Sequence, residues 1–284
     1  MTKPTSSGGL GMRLGYRFNL TGLSALGIIL LWVGVALSAP HIIPHSVGEI
    51  VDTDYFGPIS RDLWLGSDYL GRDIFSRILM GARYTLGISL AAVSIACFSG
   101  IALGMTAAVA GGWFDTVLSR LLDALNSIPS KLFGLVVVAA VGSSIPALIA
   151  TLSVIYTPGA YRFARALAVN INTMDFIMVA RIRGEGLPYL IASEILPNIL
   201  GPVLADLGLR FVFIVLLLSG LSFLGLGVQP PYADWGALVR ENIGGLPFGA
   251  PAVIFPSLAI ASLTISVNLL IDNLPSRIRD RSAE

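Results

Sequence analysis

The 31 residues from Tyr84 to Phe114 read YTLGISLAAVSIACFSGIALGMTAAVAGGWF and carry no charged side chain. A helix needs about 20 mostly apolar residues to cross the hydrocarbon core of a bilayer. This stretch is therefore long enough for one membrane span together with both of its ends. It predicts an integral membrane protein built from α-helices.

The composition of the whole chain agrees with a membrane protein. Of its 284 residues, 55% are apolar and 12% are charged, and the mean hydropathy is +0.81. An ordinary soluble domain carries about 25% charged residues, and a disordered chain combines low hydrophobicity with high net charge. Both classes are therefore excluded, and the formal net charge of +1 gives no support to nucleic-acid binding.

Three further runs are long and apolar enough to span a membrane, namely Leu20–Ala39, Ile199–Val228 and Val253–Ile271. The first follows several basic residues and resembles a signal peptide, with Ala36-Leu37-Ser38 as an alternative cleavage site. Because its apolar run is long for a signal peptide, we interpret it as a retained first span.

The segment Asp115–Leu167 admits two interpretations. Its uncharged part, Leu132–Tyr161, has 30 residues, too few for two spans and too many for one. Gly142-Ser143-Ser144 in its middle are typical of a turn. With a turn there, the third span begins near Leu121, the fourth covers Pro146–Leu167, and the all-α chain has six transmembrane helices. A five-span alternative would put the C-terminus on the opposite side.

The basic residues orient the six-span arrangement. With the N-terminus inside, 11 of the 18 Lys and Arg residues fall on the inner side and five on the outer side, in agreement with the positive-inside rule. Both termini are then cytoplasmic. The predicted segments are a cytoplasmic tail (1–19), the first span with an extracytoplasmic loop (20–83), a transmembrane domain of five helices (84–275) and a second cytoplasmic tail (276–284).

The residue types that carry most enzyme chemistry are scarce. Cys97 is the only thiol, and His41 and His45 are the only imidazoles, so the chain has no internal disulfide and no His-Glu-x-x-His metal site. Neither Lys3 nor Lys131 stands in the Gly-Lys-Ser/Thr context of a phosphate-binding loop. We therefore expect no catalysis, no ATP hydrolysis, no metal and no cofactor on this chain.

Ionisable side chains inside predicted spans are functional candidates in a membrane protein. Asp123, Asp206 and Arg210 are the candidates here, either in a transport pathway or as intramembrane polar groups. Arg210 follows Asp206 by four residues, so both lie on one helix face and an internal ion pair is the alternative. Gly100 and Gly104 predict the close approach of another helix to span two.

Three motifs follow one another between Trp64 and Asp272. They are Leu65–Asp73 (LGSDYLGRD) with Arg77, Gly81 and Arg83; Val179-Ala180-Arg181 with Gly184 and Ile195-Leu196-Pro197-Asn198; and Leu221–Pro231 (LSFLGLGVQPP) with Trp235-Gly236. In this combination the chain resembles the C-type permease subunits of the dipeptide, oligopeptide and nickel ABC importers.

The resemblance implies a six-helix subunit of the type I importer kind in the cytoplasmic membrane of a bacterium or archaeon. It implies several partners: a second, homologous permease, two cytoplasmic ATPases that carry ATP and Mg, an extracytoplasmic solute-binding protein, and membrane lipid. The implied mechanism is alternating access, and the solute is a dipeptide, a longer peptide, a nickel chelate, an opine or another small molecule. The alternative is a secondary transporter that works without ATP.

The same resemblance implies an ATPase-coupling loop at about residues 170–198. Its candidate residues are Met178, Val179, Ala180, Arg181, Gly184, Glu185, Ile195, Leu196 and Pro197. Met178 stands where the family has a glutamate, and Glu185 is the candidate replacement.

The residues of this loop agree with a docking segment. Gly184 and Gly186 allow a sharp turn, and Pro188 and Pro197 can each start a helix. Apolar anchors for a groove are Leu187, Tyr189, Leu190, Ile195 and Leu196. The alternative is an amphipathic helix that lies on lipid headgroups.

The first and third motifs fall on the outer side. Asp73 predicts a helix N-cap for a short surface helix, Ile74–Met80, with Gly71 allowing the chain to turn into it. The run Gly225–Pro231 cannot form a regular helix, because two glycines and a Pro-Pro pair interrupt it. It either lines the outer mouth of the pathway or caps span five.

Overall fold

The computed structural model describes residues 20–248 and 250–273. Within these ranges the chain forms ten α-helices and two isolated β-bridges, with no named strand. The helices are α1 (Leu20–Ile42), α2 (Ile74–Ala110), α3 (Gly112–Asn126), α4 (Ser130–Val141), α5 (Ile145–Asn172), α6 (Asp175–Ile182), α7 (Leu187–Tyr189), α8 (Leu196–Phe223), α9 (Trp235–Asn242) and α10 (Pro251–Asp272). The predicted tails 1–19 and 276–284 lie outside the described residues.

The helices are long and apolar enough for a polytopic membrane protein. Four of them qualify as spans by length and composition: α1, α2, α10 and the continuous helix Leu187–Phe223 that contains α7 and α8. Two bent pairs, α3 with α4 and α5 with α6, raise the number to six if each pair counts as one span. The all-helical, multi-span fold class is therefore confirmed.

The predicted turn between spans three and four is present. Gly142 ends α4 with a φ of 98°, and the Ser144 hydroxyl caps α5 by accepting a hydrogen bond from the Ala147 amide. The third span, however, is not the single helix that was predicted to begin near Leu121. Counted as one span, the pair begins at Gly112 and bends by 84° between α3 and α4, where Pro129 removes a backbone donor from the helical ladder.

The second span begins ten residues earlier than predicted. Asp73 caps α2 by accepting hydrogen bonds from the Phe75 and Ser76 amides, and Gly71 turns the chain with a φ of 78°, as expected. The expectation of a separate surface helix over Ile74–Met80 is wrong, because those residues are the first turns of α2 itself. The charge of Arg77 does not end the helix, since acidic partners surround it.

Helices α2 and α5 pack closely against each other. A Cβ on Gly100 would lie 2.6 Å from the Ala160 Cβ, and one on Gly104 would lie 2.7 Å from the Tyr161 carbonyl oxygen. Only glycine allows two helix backbones to approach so closely. The predicted helix contact at these two glycines is therefore confirmed, and it lies within this subunit.

The two ends of α2 define the two ends of the molecule. The α9 end comprises residues 43–73, 224–248 and 250, and the α6 end comprises α6 with its flanking residues 173–186. With 37 residues at about 1.5 Å each, α2 extends for about 55 Å between them.

The third motif folds back onto the end of α8 at the α9 end. Helix α8 ends at Phe223, and Gly225 adopts a φ of 90°. The buried Asp234 carboxylate accepts hydrogen bonds from the Ser222 hydroxyl and the Val228 amide with one oxygen, and from the Gly236 and Ala237 amides with the other. Of the two interpretations of Gly225–Pro231, the cap on span five is the one that these contacts support.

An ion network that the sequence did not reveal joins the 43–73 loop to α9. Asp68 binds Arg72 and Arg77, and Glu241 accepts hydrogen bonds from Arg72 Nη2 at 2.8 Å and from Arg77 Nη1 at 2.9 Å. Asp68 and Arg77 are only 0% and 2% exposed. Two cations and two anions neutralise one another, which allows the network to be buried.

Candidate functional site

The predicted coupling loop contains a short helix set at an angle to the spans. Helix α5 ends at Asn172, and after a two-residue connection α6 runs at 75° to it. Asp175 lies in the first turn of α6 and Arg181 in the last, the arrangement that complements a helix dipole.

The two faces of α6 differ sharply in burial. Ile177 and Ala180 are fully buried in a core cluster that also contains Leu190, Ile195 and Ile199. On the opposite face, exposed fractions are large for apolar side chains: Met178 is 61%, Val179 53% and Ile182 80% exposed. One face therefore anchors α6 to the spans, and the other presents an apolar surface.

Arg181 fastens α6 to the ends of two spans. Its Nη2 donates to the Asn172 Oδ1 at 2.9 Å and to the Val109 carbonyl at 3.4 Å. Asn172 in turn donates to the Ala108 carbonyl at 3.1 Å. Helices α2, α5 and α6 thus share one hydrogen-bonded junction.

Gly184 ends α6 in a left-handed conformation. Its φ is 83°, its amide donates to the Arg181 carbonyl, and the Glu185 amide donates to the Ala180 carbonyl. These two bonds form a Schellman motif, which favours glycine at the left-handed position. Gly186 has a φ of −83°, so the sharp turn depends on Gly184, and the prediction that Gly186 shares this role is wrong.

Glu185, the candidate replacement for the family glutamate, lies directly after this turn. It is partly exposed, and within the described residues its carboxylate accepts no hydrogen bond from another side chain or amide. Its charge therefore remains available at the α6 end.

The helix that leaves the loop is continuous rather than newly started at Pro197. Pro188 lies in the first turn, as predicted, but residues Leu190–Ile195 form a π-helical segment that leads directly into α8. A wider turn before Pro197 accommodates the missing amide and the ring of proline. Leu190 and Ile195 are buried and Leu196 packs against the same core cluster, so the expectation that they form exposed anchors is wrong.

Asp206 and Arg210 form the internal pair that their spacing indicated. Arg210 donates from Nε to Asp206 Oδ2 at 2.6 Å and from Nη2 to Oδ1 at 3.0 Å. The guanidinium lies against Gly159 of α5, where a Cβ would be 2.5 Å from Nη1. The pair therefore fills the contact between α5 and α8.

Asp123 also has a partner, on a different helix. Arg162 of α5 donates from Nε to Asp123 Oδ1 at 2.8 Å. Unlike the first pair, this one is about half exposed, 53% for Asp123 and 51% for Arg162. Arg162 carried no signal as a partner of Asp123 in the sequence, because 39 residues separate them.

Comparison with known proteins identifies the family. Residues 100–280 match the family described as binding-protein-dependent transport system inner membrane component. The glutathione transport system permease protein GsiD of Pectobacterium atrosepticum is 34% identical over 248 residues, which cover 87% of this chain and 82% of that protein. The dipeptide transport system permease protein DppC of Alkalihalophilus pseudofirmus is 31% identical over 254 residues, 89% and 84% of the two chains.

A third relative, a putative peptide transport system permease protein of Brucella suis, is 33% identical over 257 residues, 88% of this chain and 84% of that protein. The family and these relatives are transport components rather than enzymes, which confirms the predictions of a transport role and of no catalysis by this chain. The chain therefore belongs to the family of binding-protein-dependent transport system inner membrane components and is a permease subunit of an ABC importer.

Proposed function

We propose that this subunit forms half of a translocation pathway for a peptide or peptide-like solute and that α6 docks into a groove on a cytoplasmic ATPase. The observation that carries the docking proposal is the two-faced α6, whose exposed Met178, Val179 and Ile182 lie on a helix anchored from behind. A short helix with a free apolar face suits contact with a groove in a partner.

The proposed assembly has a second, homologous permease, two ATPases that hold ATP and Mg, and an extracytoplasmic solute-binding protein. The family description, with its binding protein and its transport system, supports partners of this kind. The relatives' names support the solute class, since they are permeases for glutathione, dipeptides and peptides. ATP closes the two ATPases on each other, and α6 carries this movement to the spans, which alternate between inward-facing and outward-facing states.

The proposed orientation places the α6 end in the cytoplasm and both termini with it. The 43–73 loop at the α9 end carries six acidic residues against two arginines, whereas Arg165, Arg181 and Arg183 lie towards the α6 end. Lys and Arg favour the cytoplasmic side of a membrane. A reporter fused after Arg281 is expected to read as cytoplasmic, and a periplasmic signal would contradict the orientation.

Gly184 offers a test of the coupling role with a matched control. Gly184→Val forces a β-branched residue into a φ of 83°, which costs about 1–3 kcal/mol locally and shifts the end of α6. Gly186→Val occupies an ordinary φ of −83°, and a Cβ there lies no closer than 3.7 Å to a neighbour, Pro188 Cδ. ATP-dependent uptake into proteoliposomes should fall for the first variant and persist for the second.

The complex itself must be recovered before uptake is measured. Affinity purification of the tagged chain from its native membranes is expected to bring down a second permease and two ATPases. Uptake that follows an ion gradient without ATP would instead favour a secondary transporter. Normal ATP-dependent uptake by Gly184→Val would contradict the role of this turn in coupling.

A further inference from the structure

Three ion pairs join residues of the span helices: Asp206–Arg210, Asp123–Arg162 and Asp115–Arg165, the last being 17% and 35% exposed. The structure separates the roles of the first two. Asp206 and Arg210 are 19% and 14% exposed, make two hydrogen bonds and pack against Gly159. Asp123 and Arg162 are 53% and 51% exposed, and a single hydrogen bond joins their side chains. The first pair is enclosed by its own subunit, whereas the second faces outward from it.

The exposed pair lies too deep to be at the membrane surface. Helix α5 has 28 residues and is about 42 Å long, about 12 Å longer than a hydrocarbon core of about 30 Å. Arg162 lies ten residues before the end of α5 at Asn172, about 15 Å along the axis. Even if the whole excess length projects at the α6 end, the Cα atom of Arg162 lies within the hydrocarbon core.

Arg162 is also directed away from the nearer surface. Side chains on a helix point towards its N-terminus, which for α5 is the end remote from α6. Asp123 and Asn126 of α3 hold the guanidinium in that direction. When the Asn126 side-chain amide is oriented with its oxygen towards Arg162, that oxygen accepts hydrogen bonds from Nη1 at 3.1 Å and from Nη2 at 3.0 Å. The charge is thus held at membrane depth on the outward-facing side of the subunit and does not extend to the lipid headgroups.

A cavity opens at the bend between α3 and α4, and Asn126, which contacts Arg162, forms part of its lining. Its volume is about 170 Å³, and its lining combines the polar residues Asn126, Ser127 and Ser130 with apolar residues that include Phe133 and Pro158. Residues 127–129 leave the helical conformation there. Non-helical backbone and charged side chains at membrane depth are tolerated only where they face protein or a water-filled space, never lipid.

We infer that Asp123, Arg162, Asn126 and the bend between α3 and α4 form this subunit's wall of the translocation pathway. The wall takes a zwitterionic solute, whose ammonium group binds the Asp123 carboxylate and whose carboxylate binds the Arg162 guanidinium. Asp123 Oδ2, which accepts no hydrogen bond within the described residues, has capacity for such a ligand. Asp206 and Arg210 hold α8 to α5 and do not contact the solute. The solute class rests on the proposed function, but the position of the wall does not.

Thiol labelling in the assembled complex tests whether water reaches the bend. In a Cys97→Ala background, which removes the one native thiol, Ser127→Cys and Ser130→Cys place nearly isosteric probes at the cavity. Val136→Cys on α4, which is 69% exposed and does not line the cavity, is the matched control. A charged, membrane-impermeant methanethiosulfonate should modify the two cavity thiols at least tenfold faster than the control in one or more nucleotide states.

The outcomes separate this inference from the proposed function. Equal labelling rates at Ser130→Cys and Val136→Cys would overturn the inference. The inference would also be overturned if the two cavity thiols were protected from the reagent in every nucleotide state and formed crosslinks to the second permease. Failure of the wild-type complex to hydrolyse ATP or to import would overturn the proposed function without changing the labelling pattern.

Neutralising variants test the contact with the solute. Asp123→Asn and Arg162→Gln should each lower uptake of a zwitterionic dipeptide at least tenfold while the complex still assembles and hydrolyses ATP. A dipeptide with blocked termini should be much less affected by either change. Equal losses for the free and the blocked peptide would show that the pair acts only on structure and would overturn the solute contact.

Discussion

Glu241→Gln should weaken the attachment of the 43–73 loop to α9, because Glu241 supplies one of only two anions in the buried ion network. The variant leaves Arg72 and Arg77 with Asp68 alone, so a net positive charge remains buried. Arg77 Nη2 already has no hydrogen-bond partner within the described residues and cannot compensate. Removing one partner of a buried ion pair costs about 3–5 kcal/mol. Glutamine can still accept one hydrogen bond, so we expect a loss of about 3 kcal/mol.

The measurement is the free energy of unfolding of the purified subunit in mixed micelles, together with the rate at which a protease cuts the 43–73 loop. Asp62→Asn is the control, since it removes a charge from the same loop at an exposed position and should cost no more than about 0.5 kcal/mol. Adding Arg72→Met to Glu241→Gln restores the charge balance and should recover part of the loss. If Glu241→Gln and Asp62→Asn lowered the free energy of unfolding by the same amount, the ion network would not contribute the stability assigned to it.

Two further predictions concern the α9 end and the contact between α2 and α5. Burial raises the pKa of the Asp234 carboxyl, while four donated hydrogen bonds oppose that shift. Asp234→Asn turns an NH₂ group towards two of those donors and should cost about 3 kcal/mol of unfolding free energy, whereas Ser222→Ala, which removes one donor, should cost less. Gly104→Val meets backbone atoms of α5 at 2.7 and 2.9 Å and should cost about 1–3 kcal/mol. Gly87→Val, with open space around it, should be nearly neutral in the same unfolding assay.

The features that could be predicted from the sequence are those set by neighbouring residues. The turn at Gly142, the cap at Asp73 and the pair Asp206–Arg210 each depend on a few consecutive positions, so their residue types and spacing are sufficient. Gly184 belongs to the same group, because a left-handed helix end favours glycine.

The features that could not be predicted depend on contacts between distant segments. Arg77 looks like a surface charge until Glu241, 164 residues away, is brought beside it, so the sequence does not reveal that the first turns of α2 are buried. The bend between α3 and α4 and the partnership of Asp123 with Arg162 arise in the same way. The burial of Leu190 and Ile195 depends on which face of the helix meets α6, and apolar character alone does not specify that face.

Helix α2 has the geometry of a rigid lever. No proline interrupts its 37 residues, and both of its ends are fastened to other elements: Trp235 of α9 donates to the Ile78 carbonyl at one end, and Arg181 of α6 donates to the Val109 carbonyl at the other. A rod of about 55 Å that tilts by about 5° about its midpoint moves each end by roughly 2.4 Å in opposite directions. A displacement of α6 would therefore act on the residues around Trp235 through one uninterrupted helix.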